Sequence, residues 1–492
     1  MLFTDPVVLL CLFILSVILI LWMKIGWERT LKNFPPGPYP LPLIGNLHLL
    51  DLKRPSKTLI ELSKTYGPVF SFQMGVRKAV VLSGYQTVKD ALVNNADEFA
   101  ERNNMHIFKI NSNEKGVIFS HGENWKVMRR FTLSTLRDFG MGKRTIADKI
   151  IEESAYLIDC FKSHKGKPFD NQTITNAAVC NIIVSITIGH RYQYDDSKFL
   201  RLISLINENV RLAGSPTVTL FNLYPVLGFL PGNHKTMIQN MNELHAFIQK
   251  TFVEHLKELD KNDQRSLIDA FLVKQQEEKS NPHSYFNDEN LTNVVSNLFV
   301  AGTETTSTTL RWGLLLMMKY PEIQRKVQEE IAKVIGSAQP CTEHRRQMPY
   351  TDAVIHEIQR FANILPLNLP HETTVDVNFK GHFIPKGTQV ITLLESVLYD
   401  KSQFEKPEEF YPQHFLDSEG KFQKKEAFMP FSAGRRVCLG ETLAKMELFL
   451  FFTRLLQEFS FHLPPGVTHV DLTPAVAFTV CPLPHMICAV QR

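Results

Sequence analysis

Apolar residues follow one another without interruption near the start of the chain. The seventeen residues from Val7 to Met23 carry no charge. As a helix they would measure about 25 Å, since the rise is about 1.5 Å per residue, and the hydrocarbon core of a bilayer is about 30 Å thick. Trp22 and Trp27 suit the polar boundary of a membrane. We therefore expect a single membrane-spanning helix within an N-terminal anchor, residues 1–33.

The charges on either side of this segment predict its orientation. Asp5 precedes it, whereas Lys24, Arg29 and Lys32 follow it, and basic flanking residues favour the cytosolic side of a membrane. The rest of the chain is therefore expected in the cytosol. The alternative is a cleaved secretory signal peptide, which requires a basic start and a small-residue cleavage site. The acidic residue at the start favours an uncleaved anchor.

Beyond the anchor the hydrophobic pattern predicts mainly helices with a small β portion, an α+β fold. Two apolar runs around Gly75 predict a β-hairpin over residues 68–84, and residues 374–393 form a second β-prone region. The clearest helix is Asn290–Lys319, thirty residues without proline. Pro321 suits the first turn of the next helix. Because the β-prone regions are far apart in sequence, we expect one undivided domain.

Composition narrows the domain organisation and the possible classes of protein. Residues 34–46 are rich in proline, which favours extended backbone, and they predict a stiff spacer. Residues 47–492 follow without a second linker or an internal repeat and are expected to form the one globular domain. The net charge of +4 is too weak to indicate nucleic-acid binding. Seven cysteines in 492 residues do not indicate a disulfide scaffold.

The segment Phe431–Phe452 contains the most specific chemistry. Cys438 lies in a loop rich in glycine and arginine, at the start of a strongly apolar helix. Amide dipoles at a helix N-terminus and neighbouring cations favour a thiolate, and we expect Arg435 and Arg436 to supply the positive charge. Taken alone, a single cysteine is more often a buried core thiol.

The whole loop changes that interpretation, because its pattern F-x-x-G-x-R-x-C-x-G resembles the haem-binding loop of the cytochrome P-450 haem-thiolate monooxygenases. The fixed positions of the pattern are Phe431, Gly434, Arg436, Cys438 and Gly440. The resemblance implies haem b (iron protoporphyrin IX) as the cofactor and Cys438 as the axial ligand of its iron. It also implies that Arg436 pairs with a haem propionate and that Phe431 packs near the sulfur. The two glycines would let a large flat group approach the backbone.

Polar residues interrupt the longest apolar helix in the hexapeptide Ala301–Thr306. Taken alone, AGTETT is more often a solvent-facing polar turn, but here it lies between the apolar runs NLFV and LLLMM. It resembles the oxygen-activating motif of the same family. The resemblance assigns Thr305 to a hydrogen bond with dioxygen and Glu304 to proton delivery. Ala301 and Gly302 would leave room for oxygen and substrate.

The sequence HEIQR, His356–Arg360, begins like the zinc-protease signature H-E-x-x-H. Arg360 stands where the second histidine is needed, so this zinc site is excluded. Glu357 and Arg360 match instead the E-x-x-R pair of the family, whose role is structural. Residues 407–415 resemble the next family element, with His414 where the broad family usually has arginine.

Four further residues resemble haem-propionate contacts. Trp125 and Arg129 fit a W-x-x-x-R element on a helix expected to begin near Gly122. Arg102 and His371 match less specific patterns, and reasoning from the residues alone would not single them out. Without the other motifs, Trp125 would be interpreted as an ordinary buried tryptophan of a helix.

The motifs occur in family order over essentially the whole chain, and several phrases look like the vertebrate microsomal subgroup called family 2. The resemblance implies a cytochrome P-450 fold over residues 47–492, which would form the catalytic domain. It also implies monooxygenation of a lipophilic small molecule, namely a xenobiotic, a fatty acid or a steroid. We expect an apolar pocket whose selectivity depends on shape. Its expected contact residues are Ile118, Phe119, Val300, Ala301, Leu365 and Phe478.

Electrons must come from another protein, because the sequence contains no G-x-G-x-x-G or flavin motif. The resemblance implies NADPH–cytochrome P-450 reductase as the partner, with cytochrome b5 as an optional second donor and O₂ as the co-substrate. It also implies a microsomal location, on the cytosolic face of the endoplasmic reticulum membrane. The expected basic docking face consists of Arg130, Arg137, Lys143, Arg144, Lys424, Lys425 and Lys445.

Two alternatives remain open from the sequence. A haem-thiolate isomerase or dehydratase would need no external electrons, but such members typically lack the acid–threonine pair present at Glu304 and Thr305. The second alternative is a non-catalytic haem-binding sensor. A sensor would not consume NADPH in response to a lipophilic substrate.

Overall fold

The computed structural model describes residues 6–29, 33–103 and 105–492, and in the first of these ranges it describes the side chains of residues 6–20. Within these residues no helix combines the length and the apolar character that crossing a membrane requires. The residues from which the N-terminal orientation and interface were predicted lie outside the described part, either entirely or with their side chains: Asp5, Trp22, Lys24, Trp27, Arg29 and Lys32.

The described residues form a mainly helical structure with short strands, as predicted. The helices are α1 (Pro6–Arg29), α2 (Pro55–Tyr66), α3 (Tyr85–Lys89), α4 (His106–Ser112), α5 (Gly122–Asp138), α6 (Arg144–Ser163), α7 (Gln172–Thr187), α8 (Ser197–Ala213), α9 (Pro216–Leu223), α10 (Asn233–Lys257), α11 (Leu267–Glu277), α12 (Asp288–Lys319), α13 (Pro321–Val334), α14 (Pro349–Ala362), α15 (Leu394–Leu398) and α16 (Glu441–Glu458). The strands are β1 (Val69–Met74), β2 (Arg77–Leu82), β3 (Glu101–Arg102), β4 (His371–Glu372), β5 (Val377–Phe379), β6 (His382–Ile384), β7 (Gln389–Thr392), β8 (Phe459–His462) and β9 (Cys488–Gln491).

The chain forms two compact units, each assembled from two separate stretches. The first unit combines Met1–Asn103 with Leu367–Leu393, and the second combines Asn104–Pro366 with Leu394–Arg492. Both predicted β regions fall in the first unit. The single catalytic domain expected over residues 47–492 stays a prediction.

The first unit contains a five-stranded sheet in the order β1-β2-β7-β4-β3. β1 and β2 form the predicted hairpin, with Met74 opposite Arg77. Its turn contains Gly75, whose φ of +62° is accessible to glycine at low cost. β7 then pairs in parallel with β2, while β5 and β6 form a separate antiparallel pair. The predictions of a hairpin and of a second β region are therefore confirmed.

In the second unit α12 is the central helix, buried on nearly every side from its first turn to its last. α7, α8, α10, α14 and α16 pack around it. α12 begins two residues before the predicted start, because the Asn287 side chain caps it by accepting a hydrogen bond from the Asn290 amide at 3.0 Å. It ends at Lys319, and Pro321 opens α13 in its first turn, as predicted.

Glu357 and Arg360 of α14 form a completely buried ion pair. Arg360 Nε donates to Glu357 Oε2 at 2.8 Å and Nη2 donates to Oε1 at 2.7 Å. The guanidinium also donates to the carbonyls of Leu398, Pro407 and Glu409, at 3.0, 2.8 and 2.9 Å. One side chain therefore ties α14 to the stretch that leads into the cysteine loop.

His414 completes this network through both nitrogens of its ring. Its Nδ1 lies 3.2 Å from Glu357 Oε2, and its Nε2 accepts a hydrogen bond from the Lys406 amide at 3.1 Å. Because Nε2 acts as an acceptor, Nδ1 carries the proton and donates it to Glu357. His414 therefore bonds through both ring nitrogens and links Glu357 to the backbone of Lys406.

Replacing Arg360 by methionine is expected to lower the free energy of unfolding by about 3–5 kcal/mol, because the Glu357 carboxylate stays buried without its cation. Denaturant unfolding of the full chain measures the loss. The matched control is Arg325→Met, since Arg325 and Glu329 form a pair 3.6 Å apart with side chains 71% and 67% exposed. Exposed pairs of this kind contribute less than about 1 kcal/mol. Equal losses in the two variants would contradict this account.

Candidate active site

The cysteine loop lies between a short helical turn, Gly434–Arg436, and α16. Gly434 has a φ of +74°, so the chain turns sharply before the cysteine. The Cys438 amide donates to the Phe431 carbonyl at 3.0 Å. α16 begins at Glu441, three residues after the cysteine rather than at it. The Cys438 side chain is accessible to a ligand.

Protein groups act on the charge of the Cys438 sulfur in both directions. Desolvation by the surrounding protein raises the pKa of the thiol, whereas amide hydrogen bonds at the start of α16 and the charge of Arg129 lower it. The helix amides therefore favour the thiolate, as expected from the sequence. Arg129 is a cation that favours the thiolate, and the contribution expected from Arg435 and Arg436 stays a prediction. Arg435 is exposed, and Arg436 is turned toward α5.

Arg129 and Arg436 connect the cysteine loop to α5 and to the residues before it. Arg129 Nη2 donates to the Val437 carbonyl at 2.7 Å, and Arg436 Nη2 donates to the Ser120 carbonyl at 2.9 Å. The Arg436 guanidinium lies over the Trp125 indole, 3.7 Å from the ring centre, where the negative face of the ring attracts a cation. The structure thus brings together four predicted site residues: Trp125, Arg129, Arg436 and Cys438.

These residues fit the haem that the resemblance implies. Trp125 Nε1 is buried, and among the described residues no acceptor lies within hydrogen-bonding distance of it. Buried donors in proteins are nearly always satisfied, so a group outside the chain, such as a propionate, is expected to accept this bond. A Cβ added to Gly440 would meet no heavy atom within 4 Å, which leaves space for a flat ring close to Cys438.

Two neighbouring residues of α12 face different surroundings. Glu304 is buried, and its Oε1 accepts hydrogen bonds from the Thr308 and Thr479 hydroxyls at 3.1 and 3.3 Å. Burial raises the pKa of its carboxyl, so Glu304 holds a proton more readily than an exposed glutamate does. Thr305 is half-buried, and its hydroxyl donates to the Ala301 carbonyl at 2.8 Å. The acid and the alcohol therefore lie on different sides of the helix.

Gly302 does not provide the space expected beside Ala301. A Cβ added to Gly302 would lie 2.5 Å from Cδ1 of Ile183 on α7, which is far inside van der Waals contact. The missing side chain is needed so that α7 and α12 can approach each other. The expectation that Gly302 leaves room for oxygen and substrate is therefore wrong, whereas Ala301 is exposed.

Asparagines on α12 hold the loop of residues 116–119, which includes the predicted substrate contacts Ile118 and Phe119. Asn297 Oδ1 accepts hydrogen bonds from two amides of this loop, both at 3.0 Å. Asn290 Oδ1 accepts from a third amide of the loop at 3.0 Å. Sequence reasoning missed both asparagines, although two of them seven residues apart in an apolar helix were a usable signal.

Two of the expected substrate contacts pack against other apolar side chains. Phe119 stacks on Phe108 of α4, with ring centres 4.4 Å apart. Phe478 packs against an apolar cluster formed by α4, α8, α9 and α10. Val300 and Leu365 are half-buried. All six expected contacts belong to the second unit, as does Cys438.

Glu447 on α16 is a second buried carboxyl, and sequence reasoning missed it. The residue is 1% exposed. Burial raises its pKa to about 8, while a side-chain hydrogen bond with Thr306 acts in the opposite direction. Thr306 directly follows Thr305, so this contact brings the helix that follows Cys438 against the AGTETT segment. In the sequence Glu447 is one polar residue within an apolar helix, and no motif marked it.

Arg102 and His371 lie in the first unit, where they face each other in the antiparallel pair of β3 and β4. Arg102 Nη1 donates to the Leu369 carbonyl at 3.0 Å. His371 Nδ1 lies 2.7 Å from the Phe99 carbonyl oxygen. The structure brings these two expected propionate contacts to each other, and the other three belong to the second unit.

Comparison with known proteins finds relatives over nearly the whole chain. The family model described as Cytochrome P450 matches residues 35–489. Cytochrome P450 2K4 of Oncorhynchus mykiss is 52% identical over 463 residues, which cover 93% of this chain and 92% of that protein. Cytochrome P450 2C14 of Oryctolagus cuniculus is 49% identical over 477 residues, 96% of each chain. Cytochrome P450 2F2 of Mus musculus is 48% identical over 444 residues, 90% of each chain.

Proposed function

This chain belongs to the cytochrome P450 family, and on that premise we propose which of its residues carry out the reaction. The resemblance to vertebrate family 2 is confirmed by the relatives with the designations 2K, 2C and 2F. The protein is a P450 monooxygenase with haem as its cofactor. In our proposal it inserts one oxygen atom of O₂ into a lipophilic small molecule, with electrons that NADPH supplies through a reductase.

The observation that carries this proposal is the arrangement around Cys438. An accessible thiol, amides and a cation that favour its thiolate, and a buried indole N–H without an acceptor in the described chain all belong to one small region. Haem, when bound, supplies the iron centre at which dioxygen is reduced. We propose Cys438 as the iron ligand, since a thiolate donates electron density to the metal. The proposed propionate contacts are Trp125, Arg129, Arg436, Arg102 and His371.

Glu304 and Thr305 handle protons in this proposal. The reaction RH + O₂ + 2 e⁻ + 2 H⁺ → ROH + H₂O consumes protons at the oxygen, and positioned side chains transfer them faster than bulk water does. The raised pKa of Glu304 supports a proton held on its buried carboxyl. Thr305 presents its hydroxyl on the other side of α12, next to the exposed Ala301.

We propose a xenobiotic, a fatty acid or a steroid as the substrate. The six expected contact residues are all apolar, and none of them is fully buried. A pocket lined in this way recognises shape and apolar area and offers few hydrogen bonds, so it discriminates weakly between lipophiles of similar size.

We propose NADPH–cytochrome P-450 reductase as the electron donor, with cytochrome b5 as an optional second donor. Exposed cations steer an acidic partner toward the surface on which they lie. Lys445 pairs with Glu441 at 2.6 Å and is less available for this purpose. The expected docking cations that are exposed are Arg130, Arg137, Lys143, Arg144 and Lys424.

We propose that α1 attaches the protein to the endoplasmic reticulum membrane, with the catalytic residues in the cytosol. The apolar side chains from Val7 to Ile20 are exposed on every side of this helix, and extended apolar surface of this kind marks a membrane or protein contact. Deleting residues 1–29 is expected to release the protein from microsomes washed at alkaline pH, whereas the full chain sediments with them. Release of the full chain as well would contradict this attachment.

Cys438→Ala is expected to abolish the red-shifted Soret band of the ferrous CO complex, because that band requires a thiolate on the iron. Absorption spectroscopy of the purified full chain measures it. Cys341→Ala is the matched control, since the Cys341 sulfur lies beside His344 at 3.4 Å, outside the cysteine loop, and this variant should keep the band. A normal band in Cys438→Ala would refute the ligand assignment.

Thr305→Ala is expected to retain haem and substrate but to divert electrons to peroxide, so that product formed per NADPH falls about tenfold or more. The assay contains reductase, NADPH and a panel of lipophilic substrates. Thr309→Ala is the control, because the Thr309 hydroxyl makes the same kind of bond, to the Thr305 carbonyl at 2.8 Å, one turn further on. Unchanged coupling in Thr305→Ala would remove this threonine from proton transfer.

A further inference from the structure

Arg311 is a buried cation of α12 that the motifs described above do not explain. The residue is 3% exposed, and within the described part of the chain its buried Nε has no hydrogen-bond partner. Glu304 and Asp170 act on it through space and not through a hydrogen bond. A buried charge without a hydrogen-bonded partner is strongly destabilising in a dry interior. We therefore expect a polar group outside the chain to solvate it.

Other buried polar atoms nearby have no partner either, as far as the described residues extend. Asn171 is completely buried, with both Oδ1 and Nδ2 unpaired, and the same holds for Thr175 Oγ1 one turn further along α7. His485 Nε2, in the C-terminal segment, is also buried and unpaired. We call Arg311, Asn171, Thr175 and His485 the Arg311 cluster. Native interiors satisfy nearly all such atoms, and where no protein group reaches them an ordered water does so.

The packing of α7 against α12 brings this cluster together. Ile183, near the end of α7, contacts Gly302. Asp170, just before α7, acts on Arg311 further along α12, so the two helices run in opposite directions and the first turn of α7 lies beside Arg311. Phe169, just before α7, exchanges backbone hydrogen bonds with Ile487 at 3.0 and 2.9 Å, and Trp312 Nε1 of α12 donates to the Val480 carbonyl at 2.9 Å, so the C-terminal segment that contains His485 runs beside both helices.

The Arg311 cluster lies between a buried acid and the protein surface. At its inner end the charge of Arg311 acts on the Glu304 carboxyl, which the Thr308 and Thr479 hydroxyls hold in place. At its outer end Asp170 is exposed to solvent. The titratable groups that face Arg311 are Glu304, Asp170, Cys481 and His485.

We propose that Arg311 anchors a wire of internal waters that links the Glu304 carboxyl to solvent beside Asp170, and that Glu304 takes up its protons along this wire. The inference rests on the proposed role of Glu304. When Glu304 gives a proton to dioxygen reduction, the adjacent water or threonine hydroxyl returns one, and a solvent proton enters at the outer end. The electrons for dioxygen reduction come separately, from NADPH through the reductase. Because solvent replaces each proton that Glu304 gives up, protons and charge balance over the reaction.

Arg311 is a positioning residue in this account. A guanidinium stays protonated in proteins, so Arg311 does not relay protons itself. Its fixed N–H groups orient the waters, and its charge lowers the pKa of Glu304, which burial raises. Without that charge, Glu304 would bind its proton more tightly and release it less readily at a given pH.

The test compares Arg311→Met, which removes the charge but keeps a long side chain, with Arg311→Lys, which keeps the charge. Asp170→Asn removes the negative charge at the outer end of the cluster. The asparagine Oδ1 can still accept the hydrogen bond that the Gln172 amide donates to Asp170 at 2.8 Å. All variants are measured as the full haem-containing chain with reductase, NADPH and a lipophilic substrate that the unmodified protein oxidises. The readouts are product and peroxide per NADPH, the solvent deuterium isotope effect, the pH profile, haem content and the substrate-induced spectral change.

In Arg311→Met, product per NADPH is expected to fall about tenfold, which is less than the loss of a proton-transferring group itself would cause because Arg311 only orients the waters, and the isotope effect is expected to increase. The alkaline limb of the pH profile should move to higher pH, because the charge that lowers the pKa of Glu304 is gone. Haem content and the spectral change should match the unmodified protein. Arg311→Lys should restore most of the coupling and the pH profile. Asp170→Asn should lower coupling about twofold or more.

A crystal structure of the haem-containing chain provides a readout that does not depend on activity. Ordered waters are expected to bridge Arg311 with Asn171 and Thr175 and to continue toward Glu304. A dry cluster would overturn the proposal. Unchanged coupling, isotope effect and pH profile in Arg311→Met and Asp170→Asn would overturn the proposal as well. If Arg311→Met fails to hold haem, the same measurements on Arg311→Lys and Asp170→Asn test the proposal in its place.

Glu304→Gln separates failure of this inference from failure of the proposed function. If Glu304→Gln keeps full coupling, Glu304 is not the proton donor, and the water wire falls with that assignment. If Glu304→Gln is uncoupled while Arg311→Met and Asp170→Asn behave like the unmodified protein, the role of Glu304 stands and the water wire alone is refuted.

Discussion

The second unit depends on the burial of α12, because a helix surrounded by protein on nearly every side must provide a partner for each polar side chain along it. Polar residues recur along α12 at intervals of seven: Asn290, Asn297, Glu304 and Arg311. Two helical turns take about seven residues, so these four share one stripe. The asparagines hold a loop, the acid faces the C-terminal segment and the cation faces α7. One helix thus sets the positions of all three relative to one another.

Three arginines, two of them buried and Arg129 half-buried, determine how the chain approaches Cys438. Arg360 donates to three backbone carbonyls between residues 398 and 409, and Arg129 and Arg436 donate to carbonyls next to the loop or facing it. Arginine suits these positions because its five N–H donors lie in a fixed plane and it stays charged. Each of these hydrogen bonds to a carbonyl holds the backbone and does not depend on the side chain of the accepting residue. The loop can therefore vary in sequence at positions whose side chains make no contact with the cofactor.

Local patterns were sufficient to predict the hairpin, the long central helix and the proline that opens α13, because neighbouring residues decide those structures. The cysteine loop was identified by its resemblance to a family, and the structure then showed which groups surround it. Features that depend on distant neighbours could not be predicted. Gly302 makes room for Ile183, Arg129 is a cation near the sulfur, and Glu447 lies against α12. In each case the residue and its partner are far apart in the sequence.

The close approach of α7 and α12 links the evolutionary histories of positions 183 and 302. Alanine favours a helix over glycine by about 1 kcal/mol, so a change at Gly302 would be locally favourable and is opposed by Ile183, whose Cδ1 lies 2.5 Å from the added Cβ. If position 183 changes to a smaller residue first, a cavity is left, at a moderate cost in folding stability. If Gly302 changes first, its new Cβ clashes with the Ile183 side chain. A change at position 183 before a change at position 302 is therefore the order that avoids a clash between the two side chains.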